Sequence, residues 1–264
     1  MDKTSVYFQC LAKQHLEHEP PRKRWCNKST PNQLPPAVVG TYVVAPSTFI
    51  PSNKIRLGDD FFNQESSTLA VSLLGKILVR LIDNKELVCG RIVETEAYLG
   101  MMDKACHSSH KRSARTEPMF MKPGTIYVYS IYGMYHCFNI SSGGEGAAVL
   151  LRAIEPLSGF ELMQKNRSQA QKKVSRILPI NQLCNGPSKL CLSFGITKES
   201  NKIDMDSPSS QIWIEDWSPQ PEFTIVTSTR IGLSKKAAEW IDAPLRFYIN
   251  DSKSVSVTDK SKRK

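Results

Sequence analysis

The pattern of apolar and polar positions divides the chain unevenly. Residues 1–54 carry neither a helical nor a strand period, whereas the pattern from about Arg56 to Asn250 is that of a compact domain. Ser66 or Ser67 is placed to cap a short helix running through Leu74 and stopped by Gly75. Lys76 to Ile82 and Leu87 to Tyr98 read as two strands around a turn at Asp83-Asn84. Residues 125–142, TIYVYSIYGMYHCFNISS, are rich in β-branched and aromatic side chains, and Gly133 sits where a tight turn needs positive φ. They predict a protruding β-hairpin with Tyr132, Gly133 and Met134 near its tip. Val149 to Ala153 is a further strand, Glu155 to about Ser168 a helix, and Pro187 suits the first turn of a helix to Phe194 with Asn185 or Gly186 ahead of it. Phe223 to Arg230 and Leu245 to Ile249 are late strands. The elements do not alternate as βαβ units, so the expected class is α+β: one mixed domain around a curved, largely antiparallel β-sheet.

Composition changes this picture little. A hydrophobic fraction of 40% is ordinary for a soluble protein with a core. No run of 18 apolar residues predicts a membrane span, and no continuous apolar stretch near the N-terminus reads as a secretory signal. The seven cysteines are odd in number and scattered, without a CxxC pair, which points to a reducing compartment and away from disulfides or a structural metal.

Charge adds a partner. The net charge of +10 suits a polyanion. Residues 1–54 hold seven Lys/Arg against three Asp/Glu and seven of the 16 prolines, a basic, Pro-rich arm expected to be disordered. Residues 251–264, with five basic and two acidic residues, read as a basic C-terminal tail, and 55–250 as the folded domain between them. Within that domain, residues 104–176 concentrate 11 basic residues against four acidic ones. The arm also contains Pro21-Arg22-Lys23-Arg24, a short basic run suited to a nuclear address or a phosphate contact and equally common by chance.

Two stretches carry candidate chemistry. In Arg91-Ile92-Val93-Glu94-Thr95-Glu96-Ala97-Tyr98, strand alternation puts Glu94, Glu96 and Tyr98 on one side. Such carboxylates more often line a solvated face; the sharper reading is a catalytic carboxylate of the kind that hydrolysis of a glycosidic bond requires. At the hairpin tip, Tyr132 lies beside the turn glycine, where a large ring is exposed. With Met134 and Tyr135 it is suited to wedge between base pairs. Lys104, Lys111, Arg112, Arg115 and Lys122 precede the hairpin and offer phosphate contacts.

RIVETEAYLG at Arg91–Gly100, ACHS at Ala105–Ser108, MFMKPG at Met119–Gly124, YVYSIYGMY at Tyr127–Tyr135 and VLLRAIEP at Val149–Pro156 stand in a fixed order. With Asn139–Ser142, Gly186–Leu190 and Leu245–Tyr248, they resemble the alkyladenine (3-methyladenine, or N-methylpurine) DNA glycosylase family, animal type, over residues 56–250. The resemblance implies base-excision repair of alkylated or deaminated purines: 3-methyladenine, 7-methylguanine, hypoxanthine and ethenoadenine. The damaged base is flipped out of the duplex and its N-glycosidic bond hydrolysed, leaving an abasic site without strand cleavage. It implies Glu96 as general base, Arg152 beside it keeping it ionised near neutral pH, and Glu94 as a dispensable neighbour. Tyr98, His107 and Tyr129 would sandwich the flipped base, and Asn139 would screen purines by their exocyclic groups. Tyr132 would fill the gap in the stack, with Met134 and Tyr135 in the minor groove. No cofactor or metal is implied. The implied partner is double-stranded DNA bearing damaged purines, met by a monomer in the nucleus, with a mitochondrial pool and downstream repair proteins compatible. The sequence departs from the family at Arg115-Thr116-Glu117-Pro118 and at Ser108-Ser109-His110-Lys111-Arg112, which is one residue shorter than usual before Met119. A lesion-shielding protein without catalysis and an RNA-binding module are the alternatives. Retention of Glu96 and Arg152 argues against the first, and the aromatic hairpin tip against the second.

Overall fold

A computed structural model describes residues 56–169, 177–217, 222–234 and 237–259. The arm at 1–54, its Pro21–Arg24 run and the last basic residues, 260–264, lie outside the described residues. The order of elements is α1 (Asp59–Phe62), α2 (Ser66–Ser72), β1 (Ile77–Ile82), β2 (Glu86–Tyr98), β3 (Ile126–Ile131), β4 (Tyr135–Ser141) and β5 (Ala148–Ser158). Then come α3 (Phe160–Gln169), α4 (Pro187–Ser193), β6 (Ile212–Glu215), β7 (Ile225–Ser228), α5 (Ala238–Ile241) and β8 (Arg246–Ile249). Eight strands form one sheet in the order β3-β4-β5-β2-β1-β6, with β8 on β2 and β7 on β8, and every pairing is antiparallel. The expected α+β class with an antiparallel sheet holds.

β2 is the axis of this sheet. Along one edge it pairs with β5 from Cys89 to Tyr98. Its other edge is shared, with β1 beside residues 86–91 and β8 beside 94–96. The backbone around Glu94 and Glu96 is therefore flanked on both sides, which lets it be buried without orphaned amides. The register with β5 shifts between Ile92 and Glu94, a bulge that re-aims the side chains next to it. On the opposite side, Thr95 donates its hydroxyl to the Ala70 carbonyl of α2 at 2.8 Å. Ile77, Val79, Cys89 and Trp213 form a core cluster over the β1–β2–β6 part of the sheet.

The turns follow their residues. Asp83 and Asn84 take positive φ of 50° and 55°, a conformation these two residues tolerate, and β1 returns as β2 there. At the tip of the β3–β4 hairpin, both Tyr132 (φ 51°) and Gly133 (φ 71°) are left-handed, and Met134 N–H donates to the Ile131 carbonyl. A β-carbon at Gly133 would meet nothing within 4 Å, so the glycine serves backbone conformation rather than space.

Four expectations change. Ser66 and Ser67 are the first helical residues of α2; Glu65 holds the cap position and caps through no side-chain bond. Glu155 to Ser158 extend β5 instead of starting a helix, because they still have β2 to pair with, and the chain turns only at Gly159 (φ 81°). Pro156 is tolerated there, opposite Gly90, beside a register shift. The strand expected over 223–230 is confined to Ile225–Ser228, and the short β6 is additional. Residues 251–259, assigned to the basic tail, lie on the domain: Ser254 and Val255 are buried and the Asp259 amide donates to the Tyr248 hydroxyl.

Candidate active site

The strand carboxylates are not on a solvated face. Glu94 and Glu96 are both fully buried, and Arg152, reaching across from β5, touches both: Nε lies 3.3 Å from Glu94 Oε1 and Nη1 3.2 Å from Glu96 Oε1. The common side that strand alternation gives them is what allows one guanidinium to serve two carboxylates. Glu155, the other acid within reach of β5, pairs with Arg91 instead.

Glu96 has two further donors. The Ile231 N–H reaches Oε1 at 2.8 Å and the Tyr98 hydroxyl reaches Oε2 at 2.9 Å. Burial raises the pKa of the Glu96 carboxyl; Arg152, Ile231 and Tyr98 pull the other way without cancelling the rise, and Glu94 adds to it. Arg152 thus favours the ionised carboxylate, while desolvation by burial is the larger influence on Glu96. For Arg152 itself, burial works to lower the pKa, but Glu96 and Glu94 outweigh it and the net shift is upward. Burial, with Glu96 and Tyr129 adding to it, pushes the Tyr98 phenol well above its usual value, so it stays a donor to the carboxylate.

Glu94 is held as closely. Its Oε1 accepts from Arg246 Nη1 at 2.8 Å and its Oε2 from the Ser256 N–H at 2.8 Å. Arg246 also donates to the carbonyls of Thr229 and Val257, so it ties β8, the 228–231 strand end and the 251–259 segment to one carboxylate. Two carboxylates thus face two nearly buried arginines.

Beside this cluster lies a pocket of about 280 Å³. Tyr98, His107, Tyr129 and Asn139, the four residues expected to hold a base, all line it. The loop Gly232–Ser234 closes its other wall. The His107 ring meets the Tyr129 ring edge to face, 4.5 Å between centroids, and its Nδ1 lies 2.9 Å from the Tyr127 hydroxyl. His107 keeps an exposed face, yet the neighbours crowding it and the Arg115 charge lower its pKa to about 4, so the imidazole is neutral at physiological pH. Asn139 is buried and its amide nitrogen donates to the carbonyls of Tyr127 at 3.0 Å and Cys137 at 3.4 Å, which leaves the amide oxygen as the group it can offer a ligand.

Tyr132, Met134 and Tyr135 stand out at the hairpin tip, 88%, 66% and 40% exposed. Not every basic residue near the hairpin is available for phosphate. Lys122 is ion-paired with Asp59 and Asp204, and Lys104 with Glu239. Lys111, Arg112 and Arg115 are exposed; Arg112 lies over Phe120 and Arg115 over Tyr129. The departures from the family pattern build their own local structure: Ser108 donates to the Gly146 carbonyl, Thr116 accepts from the Ser113 amide, and Glu117 pairs with Lys202.

Sequence reasoning misses Arg230, Asp103, Arg246 and the Ile231 amide. Arg246 lies inside the Leu245–Tyr248 block, which marks the segment without assigning the arginine a role; Arg230 follows β7 in a segment with no motif, and a backbone donor leaves no trace in composition.

The profile of the methylpurine-DNA glycosylase family matches residues 60–253. The human protein named DNA-3-methyladenine glycosylase is 46% identical over 229 residues, 86% of this chain and 76% of its own length. The mouse protein of the same name is 48% identical over 210 residues, 78% of this chain and 62% of its own. A putative 3-methyladenine DNA glycosylase of Clostridium perfringens strain SM101 is 48% identical over 206 residues, 76% of this chain and 99% of its own.

Glu94→Ala should lower stability by about 3–5 kcal/mol, because it leaves Arg246 without its carboxylate and Arg152 with only one. Chemical denaturation measures this. A loss below about 1 kcal/mol would show that the two arginines do not depend on Glu94.

Proposed function

The chain belongs to the methylpurine-DNA glycosylase family, and from that premise we propose that it removes alkylated and deaminated purines from duplex DNA by base flipping and hydrolysis. The observation that carries this reading is the link from the Glu96–Arg152 pair, through the Tyr98 hydroxyl, to a pocket faced by Tyr98, His107, Tyr129 and Asn139. A pure lesion-binding protein has no use for a buried carboxylate whose basicity is raised beside its base pocket.

The residues divide the work. Tyr132, with Met134 and Tyr135, enters the minor groove and fills the space the nucleotide leaves. Damaged or mispaired bases cost less to extrude, which gives a first selection. The flipped base stacks among the aromatic rings. N3- and N7-alkylated purines are cationic and gain from the electron-rich tyrosine faces, while their charge makes them good leaving groups. A neutral His107 does not repel them. Glu96 takes a proton from water as the oxygen bonds to C1′ and the C1′–N bond breaks. Its negative charge, steadied by Arg152, also stabilises the oxocarbenium-like sugar. Among the described residues no lysine lines the pocket, which favours simple hydrolysis over a Schiff-base lyase. 3-Methyladenine, 7-methylguanine, hypoxanthine and ethenoadenine are the proposed substrates, DNA the partner of a monomer, and the nucleus the site of action.

Glu96→Gln should keep binding to a lesion duplex while base release falls about 10²–10⁴-fold; undiminished excision sinks the assignment. Since the reactive form is the carboxylate and its pKa is raised, activity should be full above that pKa and disappear as pH falls through it. The acid limb of the wild-type rate profile should therefore lie above the ordinary carboxylate value of about 4.3. Tyr132→Ala should weaken lesion-duplex binding about tenfold or more in a titration, and unchanged affinity would remove the hairpin wedge from the mechanism.

A further inference from the structure

Against Tyr98, among residues that do not line the pocket, lies a second ion pair. Arg230 has a fully buried side chain and grips Asp103 with both terminal nitrogens, at 2.5 and 3.0 Å. The same guanidinium donates to the Ala97 carbonyl at 3.1 Å and lies 4.7 Å from the centre of the Tyr98 ring. It does not line the pocket, although Tyr98 does. The next residue, Ile231, supplies the backbone N–H that holds Glu96 Oε1, and Tyr98 supplies the hydroxyl on Oε2. Asp103 is fixed in turn by the amides of Leu99 and Ala105.

We propose that Arg230, gripped by Asp103, is a positioning residue for base release: it fixes both the Tyr98 hydroxyl and the Ile231 N–H on the Glu96 carboxylate. The inference rests on the glycosylase reading and adds to it the device that aims the base. Arg230 fastens the 228–231 strand end to the β2 backbone at Ala97, one residue beyond Glu96, while it packs beneath Tyr98. Both donors therefore hang on a single planar group. A lysine keeps the charge but cannot form the fork, stack on the ring and reach the carbonyl together. Displacing either donor by a fraction of an ångström loosens the base without removing any group that touches DNA.

Glu96 is surrounded from several elements. Glu94 and Tyr98 lie on β2, Arg152 on β5, and Arg230 and the Ile231 amide on the 230–231 segment; Tyr129 of β3 and Cys137 of β4 feel its charge. Both donors held by Arg230 lower the pKa of Glu96 against its burial. Their loss raises it further, and the acid limb of the rate profile moves to higher pH.

The test is single-turnover base release against pH by the full chain, by Arg230→Lys and by Asp103→Asn. The substrate is a duplex with one lesion that the wild-type chain excises. Arg230→Lys should release base about tenfold to a hundredfold more slowly at its plateau, with the acid limb displaced upward in pH. A folded Arg230→Lys whose plateau rate stays within about twofold of wild type, or whose acid limb does not move, overturns the proposal. If thermal unfolding shows that Arg230→Lys does not fold, Asp103→Asn replaces it: a slower plateau with a displaced acid limb supports the proposal, and an unchanged plateau or limb overturns it. An active wild type beside unaltered variants rejects this inference alone; a wild type that excises no lesion rejects the glycosylase reading and this inference with it.

Discussion

Two carboxylates and two arginines share a nearly dry space along the central strand, and most of the architecture can be understood as the means of keeping them paired. Taking such groups out of water costs several kcal/mol each unless every charge meets a partner and its remaining hydrogen bonds are satisfied. Arg152 must come from β5, Arg246 from β8, one amide from the 228–231 strand end and another from Ser256. The strand carrying Glu94 and Glu96 is accordingly flanked along both edges, and chain segments remote in sequence are brought to it. Replacing both carboxylates together with both arginines by well-packed apolar residues often costs a fold nothing in stability, so these charges are not there to hold the sheet.

That cost has a chemical return. A carboxylate left in water has little basicity to offer, and one buried without donors would be neutral. Glu96 lies between these limits, raised by burial and restrained by Arg152, Ile231 and Tyr98. The pocket next to it is arranged in the opposite sense. Its histidine is neutral, Tyr98 and Tyr129 are protonated, and its asparagine has spent its amide nitrogen on the sheet. The pocket thus offers shape and π-surface, and charge is confined to the Glu96–Arg152 side.

Much of this is legible in the sequence. The strand through Glu94, Glu96 and Tyr98 and the hairpin with its positive-φ tip follow from alternation and turn chemistry, and local rules of that kind leave local marks. Four pocket residues are identifiable by their ordered motifs. What escapes has a common cause: it depends on partners far along the chain. Whether Glu94 is solvated or buried is decided by Arg246 and Ser256, 152 and 162 residues away. Glu155 to Ser158 look helical in sequence because nothing nearby shows that β2 has spare edge for them. Lys104 and Lys122 look free for phosphate because Glu239 and Asp204 are distant in sequence. The Ile231 amide belongs to the backbone, which composition does not report.

The same long separations bear on how the molecule comes together. Contacts spanning more than a hundred residues form only after large loops have closed, a topology associated with slow folding. Until that happens the carboxylates of β2 lack the partners that their burial requires. In the finished protein the coupling runs the other way. Residues 251–259 supply the Ser256 amide to Glu94 and the Val257 carbonyl to Arg246, so a local opening at the periphery would remove a partner from each member of that buried pair. The integrity of the carboxylate cluster is then a property of the cooperative whole, because β8 and residues 251–259 each supply part of it.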